Sequence, residues 1–220
     1  MADKPKPLVE LAGRPLAAYQ VGLLVRAGVS RVIVSCTAGE GARFEQALAG
    51  LGAEIGVAEE PERLGRGGGI RFAAAQRAES GDFYALNGDE LLDIDLGAML
   101  QRHREQDAAA TIAVARPQSP FGVVELTEDD RVTGFGEGGR IPYWVSCGVY
   151  VLGEAALARF PERGDHEVTT FPALAAEGKL RAFRHAGLWL TVNTPKDLRR
   201  AEEYLAAHPE WLAARPVETS

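Results

Sequence analysis

One stretch decides the fold class: residues 83–115 read FYALNGDELLDIDLGAMLQRHREQDAAATIAVA. It opens with an apolar run at residues 83–86 and closes with another at 109–115, and both have the length and continuity of strands covered on two faces. Between them, residues 96–106 have helical periodicity, and Asp95 is a suitable cap for the first turn. A strand, a helix and a strand in this order predict a βαβ unit with parallel strands.

The same alternation extends toward both ends of the chain. Residues 15–27 predict a helix that stops at Gly28, and apolar runs predict strands at 31–36 and 53–58. We therefore expect an α/β fold of the three-layer, Rossmann-like kind with a mixed, mostly parallel sheet. The other predicted elements are strands at 145–152 and 180–183 and helices at 69–79 and 195–207, the last capped by Thr194.

The pattern changes after the second strand of that unit. Residues 121–126 and 132–135 are strand-like, and turn-forming residues 128–130 separate them, which predicts an antiparallel β hairpin inserted into the α/β core. The predicted organisation is a single α/β domain over residues 1–210, a β insertion at 121–145 and a carboxyl-terminal tail at 211–220.

Composition and charge exclude several classes of protein. Of 220 residues, 46% are hydrophobic and 25% are charged, which excludes a disordered chain. The formal net charge is −7, and we expect no nucleic-acid partner because an acidic surface repels a phosphate backbone. An anionic small molecule is compatible with this charge when Mg²⁺ and a few basic side chains screen it.

The apolar runs also bear on location. No run approaches the roughly 18 apolar residues of a membrane span, and no amino-terminal stretch has the pattern of a leader. We therefore expect a cytoplasmic protein without a membrane partner. Cys36 and Cys147 lie in apolar runs without metal-ligand spacing, and we expect both to be buried core thiols.

Asn87-Gly88-Asp89 closes the strand predicted at residues 83–86. In open α/β sheets, ligands bind outside the carboxyl ends of the strands, and a carboxylate there can hold Mg²⁺ together with substrate phosphates. The alternative is that the tripeptide serves only as a turn, since Asn, Gly and Asp all favour turns.

A second candidate is the glycine-rich stretch LGRGGGI at residues 64–70, placed between a strand and a helix. Its adjacent glycines, Gly67 and Gly68 among them, would let a base or a phosphate approach backbone N–H groups at a helix amino terminus. A flexible helix start is the alternative. The stretch matches neither the dinucleotide nor the P-loop fingerprint.

Other polar segments have two interpretations each. Residues 4–7 are typical of a loose terminus, or they hold a phosphate contact. Glu137, at the end of the hairpin, is expected either to accept hydrogen bonds from sugar hydroxyl groups or to face water. Residues 165–167 are expected to cap the following helix rather than to bind a metal, and His103 and His185 are expected at the surface.

Taken together and in order, these pieces resemble the sugar-1-phosphate nucleotidyltransferases, the group of mannose-1-phosphate guanylyltransferases and heptose- or glucose-1-phosphate nucleotidyltransferases. The resemblance extends over nearly the whole chain. The stretches that carry it are PKPLVELAGRPL at 5–16, LGRGGGI at 64–70, LNGD at 86–89, DIDL at 93–96, FGVVE at 121–125, FGE at 135–137, VSCGVY at 145–150, FP at 171–172, EGK at 177–179 and TPKD at 194–197.

The resemblance implies a Mg²⁺-dependent reaction of a nucleoside triphosphate with a sugar 1-phosphate, which yields an NDP-sugar and pyrophosphate. It also implies a nucleotide-diphospho-sugar transferase fold whose β insertion lies on the sugar side. The implied catalytic residues are Asp89, which would hold the metal, and Lys6, which would contact phosphate. The implied substrate-binding residues are Gly67 and Gly68 beside the nucleobase, Asn87 and Gly88 in the metal turn, Gly122 and Glu137 toward the sugar, and Arg140 toward the sugar phosphate.

Three departures from the family pattern favour a different role. The family's first strand and its Gly-x-Gly-x-Arg phosphate loop are lacking before Lys4, which would leave strand edges unpaired. Gly138 stands where the family has a lysine, with Arg140 as a substitute, and Thr191 stands where it has a second metal aspartate. The alternative function is therefore a catalytically impaired homologue that binds a nucleotide sugar or regulates an active paralogue. A homo-oligomer is compatible with either function.

Overall fold

A computed structural model describes residues 4–119, 121–209 and 211. Residues 1–3 of the predicted domain and residues 212–220 of the predicted tail lie outside the described residues. The division into a domain, an insertion and a tail stays a prediction. Within the tail, Trp211 packs edge-on against Tyr204, with ring centroids 6.0 Å apart.

Strands and helices alternate along the chain. A 3₁₀ helix at Lys6–Leu8 is followed by β1 (Glu10–Leu11), β2 (Arg14–Pro15), α1 (Leu16–Arg26), β3 (Arg31–Thr37), α2 (Gly41–Leu48), β4 (Glu54–Glu60), α3 (Gly65–Ala74), β5 (Phe83–Leu86), β6 (Glu90–Leu92) and α4 (Leu96–Glu105). Then come β7 (Ala110–Ala115), β8 (Val123–Leu126), β9 (Val132–Gly136), β10 (Val145–Leu152), α5 (Glu154–Leu157), α6 (Thr170–Ala176), β11 (Leu180–Arg184), β12 (Trp189–Thr191) and α7 (Pro195–Ala207).

Local signals set two of the helix starts. Asp95 caps α4 as predicted, because its carboxylate accepts a hydrogen bond from the N–H of Ala98 at 2.8 Å. Thr194 caps α7 as predicted, and Asp197 completes a capping box. The predicted start of α3 at residue 69 is wrong: the helix begins at Gly65, so its glycines lie inside the first turns rather than before them.

The central sheet has four strands in the order β11-β7-β10-β5. β11 runs parallel to β7, and β10 runs antiparallel to both β7 and β5, so three of the four strands share one direction. β3 and β4 form a separate parallel pair. These pairings confirm the mixed, mostly parallel arrangement. The antiparallel pairing of β8 with β9 forms the predicted hairpin.

Helices cover both faces of the central sheet and so complete the three layers. One face packs against α1 and α4 through a cluster that includes Leu24, Met99 and Val149. The opposite face packs against α5 and α6 through a cluster that includes Tyr150 and Phe171. Because Val149 and Tyr150 are neighbours on β10, the alternation of a strand sends successive side chains into the two layers. We call these surfaces the α4 face and the α6 face.

Within the described residues, β3 and β5 each have a strand partner on one side only. Residues 32–34 of β3 are apolar yet only half-buried, whereas residues 147–152 of β10 are fully buried. We call the unpaired region between β3 and β5 the opening. Helix α1 packs across it, since Leu24 lies in the same cluster as Val32 of β3 and Leu86 of β5. Within the described residues, these strand edges agree with the expectation of unpaired edges.

Two smaller expectations concern thiols and membranes. Cys36 and Cys147 are free and buried, as predicted. In the described part of the chain, no helix combines the length and the apolar character needed to cross a membrane.

Candidate active site

The residue predicted to bind metal lies in a short turn, residues 87–90, directly after β5. Gln20 on α1 ties this turn at both ends: its side-chain amide donates to the carbonyl oxygen of Asn87 at 2.6 Å and to that of Glu90 at 2.9 Å. Gln20 is buried, which shields the two hydrogen bonds from water. One side chain of the helical layer therefore positions the turn that carries Asp89.

Two backbone hydrogen bonds hold the same turn from other sides. The N–H of Asn87 donates to the carbonyl of Gly148 at 2.7 Å, and the N–H of Val192 donates to the carbonyl of Asp89 at 2.8 Å. Gly148 has a φ of +69°, and a Cβ there would lie 2.6 Å from Nδ2 of Asn87, so a side chain is excluded. Asp89 is thus fixed at the carboxyl end of β5, where open α/β sheets bind ligands.

Lys6 reaches this turn from the amino-terminal side. A Cβ at Gly88 would lie 2.5 Å from Cγ of Pro7, so glycine at this position lets the 3₁₀ helix pack on the turn. The ammonium group of Lys6 lies 3.7 Å from Oδ2 of Asp89 and donates to Oδ1 of Asn193 at 2.7 Å. The structure therefore brings Lys6, Gly88 and Asp89 together and adds Asn193, which sequence reasoning missed.

The segment around Lys6 is anchored. Leu8 and Val9 are buried, and the N–H of Leu16 donates to the carbonyl of Val9 at 2.9 Å. The expectation of a loose terminus at residues 4–7 is therefore wrong for Lys6 and Pro7, because they lie in the 3₁₀ helix whose last residue, Leu8, packs in the core cluster between α1 and α2. This anchoring holds the Lys6 side chain half-exposed beside Asp89.

Glu90, the residue after Asp89, is a buried acid. Its Oε2 accepts a hydrogen bond from the indole N–H of Trp189 at 2.8 Å, and burial raises the pKa of Glu90 to about 8. The cross-strand partner of Glu90 is Thr191, which carries no charge. Burial therefore favours the neutral form of Glu90, and Asp89 supplies the more exposed carboxyl group of the turn.

This donor set bears on the predicted Mg²⁺. In residues 4–119, 121–209 and 211, no group of three or more His, Cys, Asp or Glu side chains is arranged to hold a metal. Mg²⁺ commonly binds through one or two carboxylates and completes its shell with water and substrate phosphates. Asp89, whose side chain is 28% exposed, fits a metal that arrives with phosphates rather than one held by the protein alone.

Gly67 and Gly68 occupy a different environment from the one predicted. Both N–H groups donate to the carbonyl of Gly164, at 2.9 and 3.3 Å, so they already have partners within the protein. A Cβ on Gly67 would lie 2.7 Å from the backbone nitrogen of His166, and one on Gly68 would lie 2.5 Å from the carbonyl oxygen of Glu162. These glycines permit close packing of the loop at residues 161–167, and their contact with a nucleobase stays a prediction.

The residues predicted to face the sugar lie on the hairpin. A Cβ on Gly122 would lie 2.6 Å from Cζ of Phe135, so glycine makes room for that ring. Glu137 and Arg140 are exposed, and Arg140 forms an isolated antiparallel bridge with Gln118. In the described chain, no hydrogen bond or ion pair joins these hairpin residues to the Asp89 turn, and their role in substrate binding stays a prediction.

The histidines expected at the surface are buried. Nδ1 of His103 lies 2.9 Å from the hydroxyl of Thr111, and Nε2 of His185 lies 2.7 Å from the carbonyl oxygen of Leu188. The expectation is wrong because each ring has an internal partner, which removes the cost of burying its polar nitrogen.

Residues 165–167 were expected to cap the following helix, α6, but α6 has Thr169 at its amino-terminal cap position and no side-chain cap hydrogen bond. Asp165 accepts a hydrogen bond from Nε of Arg66 at 2.8 Å, and Glu167 forms an ion pair with the same guanidinium at 2.7 Å. Glu167 also accepts a hydrogen bond from the buried hydroxyl of Tyr150 at 2.9 Å. These contacts fasten the loop to the start of α3.

His166, between those two acids, points into the core instead. Its ring stacks on Phe160 with centroids 4.9 Å apart and meets Phe171 edge-on at 4.7 Å. Neither ring nitrogen has a hydrogen-bond partner in the described structure, and burial lowers the pKa of His166. His166 is therefore held neutral within an aromatic cluster.

Comparison with known proteins finds similarity to nucleotidyl transferases. A family model described as nucleotidyl transferase matches residues 2–208. Mannose-1-phosphate guanyltransferase beta-A of Xenopus laevis is 32% identical over 227 residues, which cover 96% of the chain and 63% of that protein. Mannose-1-phosphate guanylyltransferase of Mycobacterium tuberculosis is 32% identical over 207 residues, which cover 89% of the chain and 57% of that protein. The chain thus spans less than two thirds of the length of these relatives.

Solved structures share the fold. HddC from Yersinia pseudotuberculosis superposes with a TM-score of 0.71 at 22% identity, covering 92% of the chain and 91% of that protein. HddC is also known in complex with GMP-PN. A putative glucose-1-phosphate thymidylyltransferase from Bacillus anthracis superposes with a TM-score of 0.73 at 16% identity, covering 90% and 85% of the two chains. These superpositions confirm the nucleotide-diphospho-sugar transferase-like fold.

Proposed function

The chain belongs to the nucleotidyl transferase family, and from this premise we propose that it transfers a nucleotidyl group from a nucleoside triphosphate to a sugar 1-phosphate. The observation that carries the proposal is the pairing of Lys6 with Asp89, 3.7 Å apart at the carboxyl end of β5. A lysine binds phosphate oxygens directly, and a carboxylate binds the metal that those oxygens also coordinate.

The proposed reaction needs no protein nucleophile. A phosphate oxygen of the sugar 1-phosphate forms a bond to the α-phosphorus of the triphosphate, and the bond from that phosphorus to the bridging oxygen of the β-phosphate breaks. Pyrophosphate leaves with the electron pair, and the product is an NDP-sugar. The attacking oxygen is already anionic, so catalysis consists of positioning and charge stabilisation.

Each residue of the Asp89 turn has a part in this scheme. Asp89 would hold Mg²⁺, which supplies charge neutralisation at the converging phosphates. Lys6 would bind a phosphate oxygen, and Asn193 orients its ammonium group through the 2.7 Å hydrogen bond. Gln20 would keep the turn in place while Asp89 binds Mg²⁺.

The remaining contacts are proposed on the family resemblance. Asn87 and Gly88 shape the metal turn, and Gly67 and Gly68 lie toward the nucleobase. On the hairpin, Gly122 and Glu137 lie toward the sugar, and Arg140 lies toward the sugar phosphate. The proposed setting is the cytoplasm, with a homo-oligomer or an active paralogue as the assembly.

One observation favours the second candidate function, a nucleotide-sugar-binding or regulatory subunit. Thr191, which takes the place of a second metal aspartate, carries no charge, and burial raises the pKa of its cross-strand partner Glu90 to about 8, which favours the neutral form of that carboxyl group. Losing one preorganised charge costs about 10²–10³ in rate in other enzymes, which is enough to favour binding over turnover.

Release of pyrophosphate tests the proposed function. The full chain is incubated with each of four nucleoside triphosphates, a panel of hexose and heptose 1-phosphates and Mg²⁺. We expect turnover that Asp89→Asn and Lys6→Met reduce by about 10²-fold or more. The matched controls Asp107→Asn and Lys196→Met, both on exposed side chains, should leave it unchanged.

A calorimetric titration with NDP-sugars separates the two candidate functions. Saturable binding without any pyrophosphate release would favour the binding subunit. A folded chain that neither reacts with any substrate pair nor binds any NDP-sugar would contradict both proposals.

A further inference from the structure

Two arginines share one tryptophan at the base of the hairpin. The guanidinium carbon of Arg116 lies 4.7 Å from the centroid of the Trp144 ring, and that of Arg184 lies 5.2 Å from it. Arg116 directly follows β7, Arg184 ends β11 and Trp144 directly precedes β10. The ends of three neighbouring strands therefore place two guanidinium groups against a single indole ring.

These two guanidinium groups lack anionic partners. Within the described residues, neither the Arg116 guanidinium nor the Arg184 guanidinium forms an ion pair or a hydrogen bond, whereas those of Arg66, Arg77 and Arg159 are each paired with carboxylates. Contact with an aromatic ring is worth about 0.5–1 kcal/mol per cation at an exposed site, and the two like charges repel each other. An anion bound between them would relieve this repulsion.

A third cation lies on the same ribbon of chain. Residues 115–118 run antiparallel to 140–145, because Ala115 pairs with Val145 and Gln118 forms a bridge with Arg140. Arg140 is exposed and lies on the segment that leads from the hairpin strand β9 to Trp144. The base of the hairpin is therefore basic in a chain whose formal net charge is −7.

This basic cluster is separate from the Asp89 turn. In the strand order β11-β7-β10-β5, β7 lies two strands and β11 three strands from β5, or roughly 10–14 Å at ~4.8 Å per strand. Ala115 and Phe183 pack on the α4 face together with Trp189 of β12. Because side chains alternate along a strand, Arg116 and Arg184 are directed to the α6 face.

We propose that Arg116 and Arg184, held by Trp144, form a binding site for the phosphate group of a small phosphate monoester. Two guanidinium forks match the charge of such a group, which is near −2, and its several acceptor oxygens. Trp144 is 40% exposed and its neighbour Tyr143 is 74% exposed, so flat apolar surface lies beside the cations. That surface suits a ligand whose phosphate is attached to a sugar or a nucleoside. The site stands independently of the proposed function.

The fluorescence of Trp144 and calorimetry together test this site. The full chain is titrated with inorganic phosphate, a hexose 1-phosphate and a nucleoside monophosphate, with EDTA present so that no metal bridges a phosphate to Asp89. We expect saturable binding that Arg116→Gln or Arg184→Gln weakens by about tenfold or more, since hydrogen bonds to charged groups contribute about 1.5–3 kcal/mol.

The matched control is Arg181→Gln, an exposed arginine on β11 with no ring contact, and it should bind as the unchanged chain does. Thermal melts confirm that every variant is folded. Tightest binding of the hexose 1-phosphate or of the nucleoside monophosphate would identify the source of the phosphate, and both support the site. Absence of saturable binding, binding that Arg116→Gln and Arg184→Gln leave unchanged, or an equal loss in Arg181→Gln would overturn the proposal.

Discussion

Gln20→Leu is the sharpest test of how the Asp89 turn is positioned. The substitution keeps the size of the side chain and its helical propensity but removes the amide that donates to the carbonyl oxygens of Asn87 and Glu90. Both acceptors lie next to a buried side chain, so water does not readily replace the lost donor. The turn should then loosen at both of its ends.

The size of the effect follows from those two bonds. A buried acceptor left without a partner costs about 1–3 kcal/mol, and the greater burial of apolar surface by leucine offsets about 1 kcal/mol. We expect Gln20→Leu to lower the free energy of unfolding by about 2–3 kcal/mol. For a chain of this length that corresponds to a decrease in Tm of roughly 5–10 °C.

Urea denaturation monitored by circular dichroism measures this free energy. Gln101→Leu is the matched control, because Gln101 is an exposed residue of α4 whose side-chain amide donates to Glu105, and the substitution should change stability by less than about 0.5 kcal/mol. If Gln20→Leu is as stable as Gln101→Leu, the two hydrogen bonds do not hold the turn. Gln20→Glu adds a second readout, since its carboxyl can donate to a carbonyl only when protonated. Its stability relative to the unchanged chain should improve as the pH falls.

Three further predictions concern stability. His166, whose pKa burial lowers, stays neutral in the folded chain, so stability should fall as the pH drops below about 6.5; urea melts from pH 7.5 to 5 should show a weaker dependence in His166→Phe. Glu90, whose pKa is raised to about 8, destabilises the fold by a few kcal/mol as the pH rises from about 4.5 through 8, and Glu90→Gln should remove that loss in the same melts. Gly148→Ala should lower Tm more than Gly178→Ala, because both positions have positive φ but only Gly148 has a neighbour that its Cβ would meet; equal decreases would show that the contact with Asn87 is unimportant.

The parts of the site that could be predicted carry local signals. Asn87 to Asp89 are polar turn residues placed directly after an apolar strand, so the sequence alone marks the end of a sheet strand. Asp95 and Thr194 are caps whose partners lie three residues away. Such short-range chemistry is visible in one segment and does not depend on the rest of the fold.

The contacts that escaped prediction join distant segments. Gln20 bonds to a residue 67 positions away, and Lys6 bonds to Asn193 across 187 positions. In the sequence, Gln20 resembles any polar residue of an amphipathic helix. β6 and β12 have three residues each, too few to show a periodicity, and they exist as strands because they pair with each other.

The buried histidines illustrate a related limit. His103 and His185 were expected at the surface on polarity alone, yet Thr111 and the carbonyl of Leu188 meet their ring nitrogens inside the core. Whether a polar side chain is buried depends on the partner that the fold provides, and the sequence does not show that partner.

The lack of strand pairing between β3 and β5 has a consequence for local unfolding. In the part of the chain that the structure describes, no ladder of backbone hydrogen bonds joins the β3–β4 pair to the central sheet, and the two pack together through helices, chiefly α1. A unit attached in this way can open without unfolding its neighbours, so it forms a cooperative segment of its own. Amide protons of β3 should therefore exchange with deuterium well before those of β10, and the Asp89 turn lies at the boundary between the two segments.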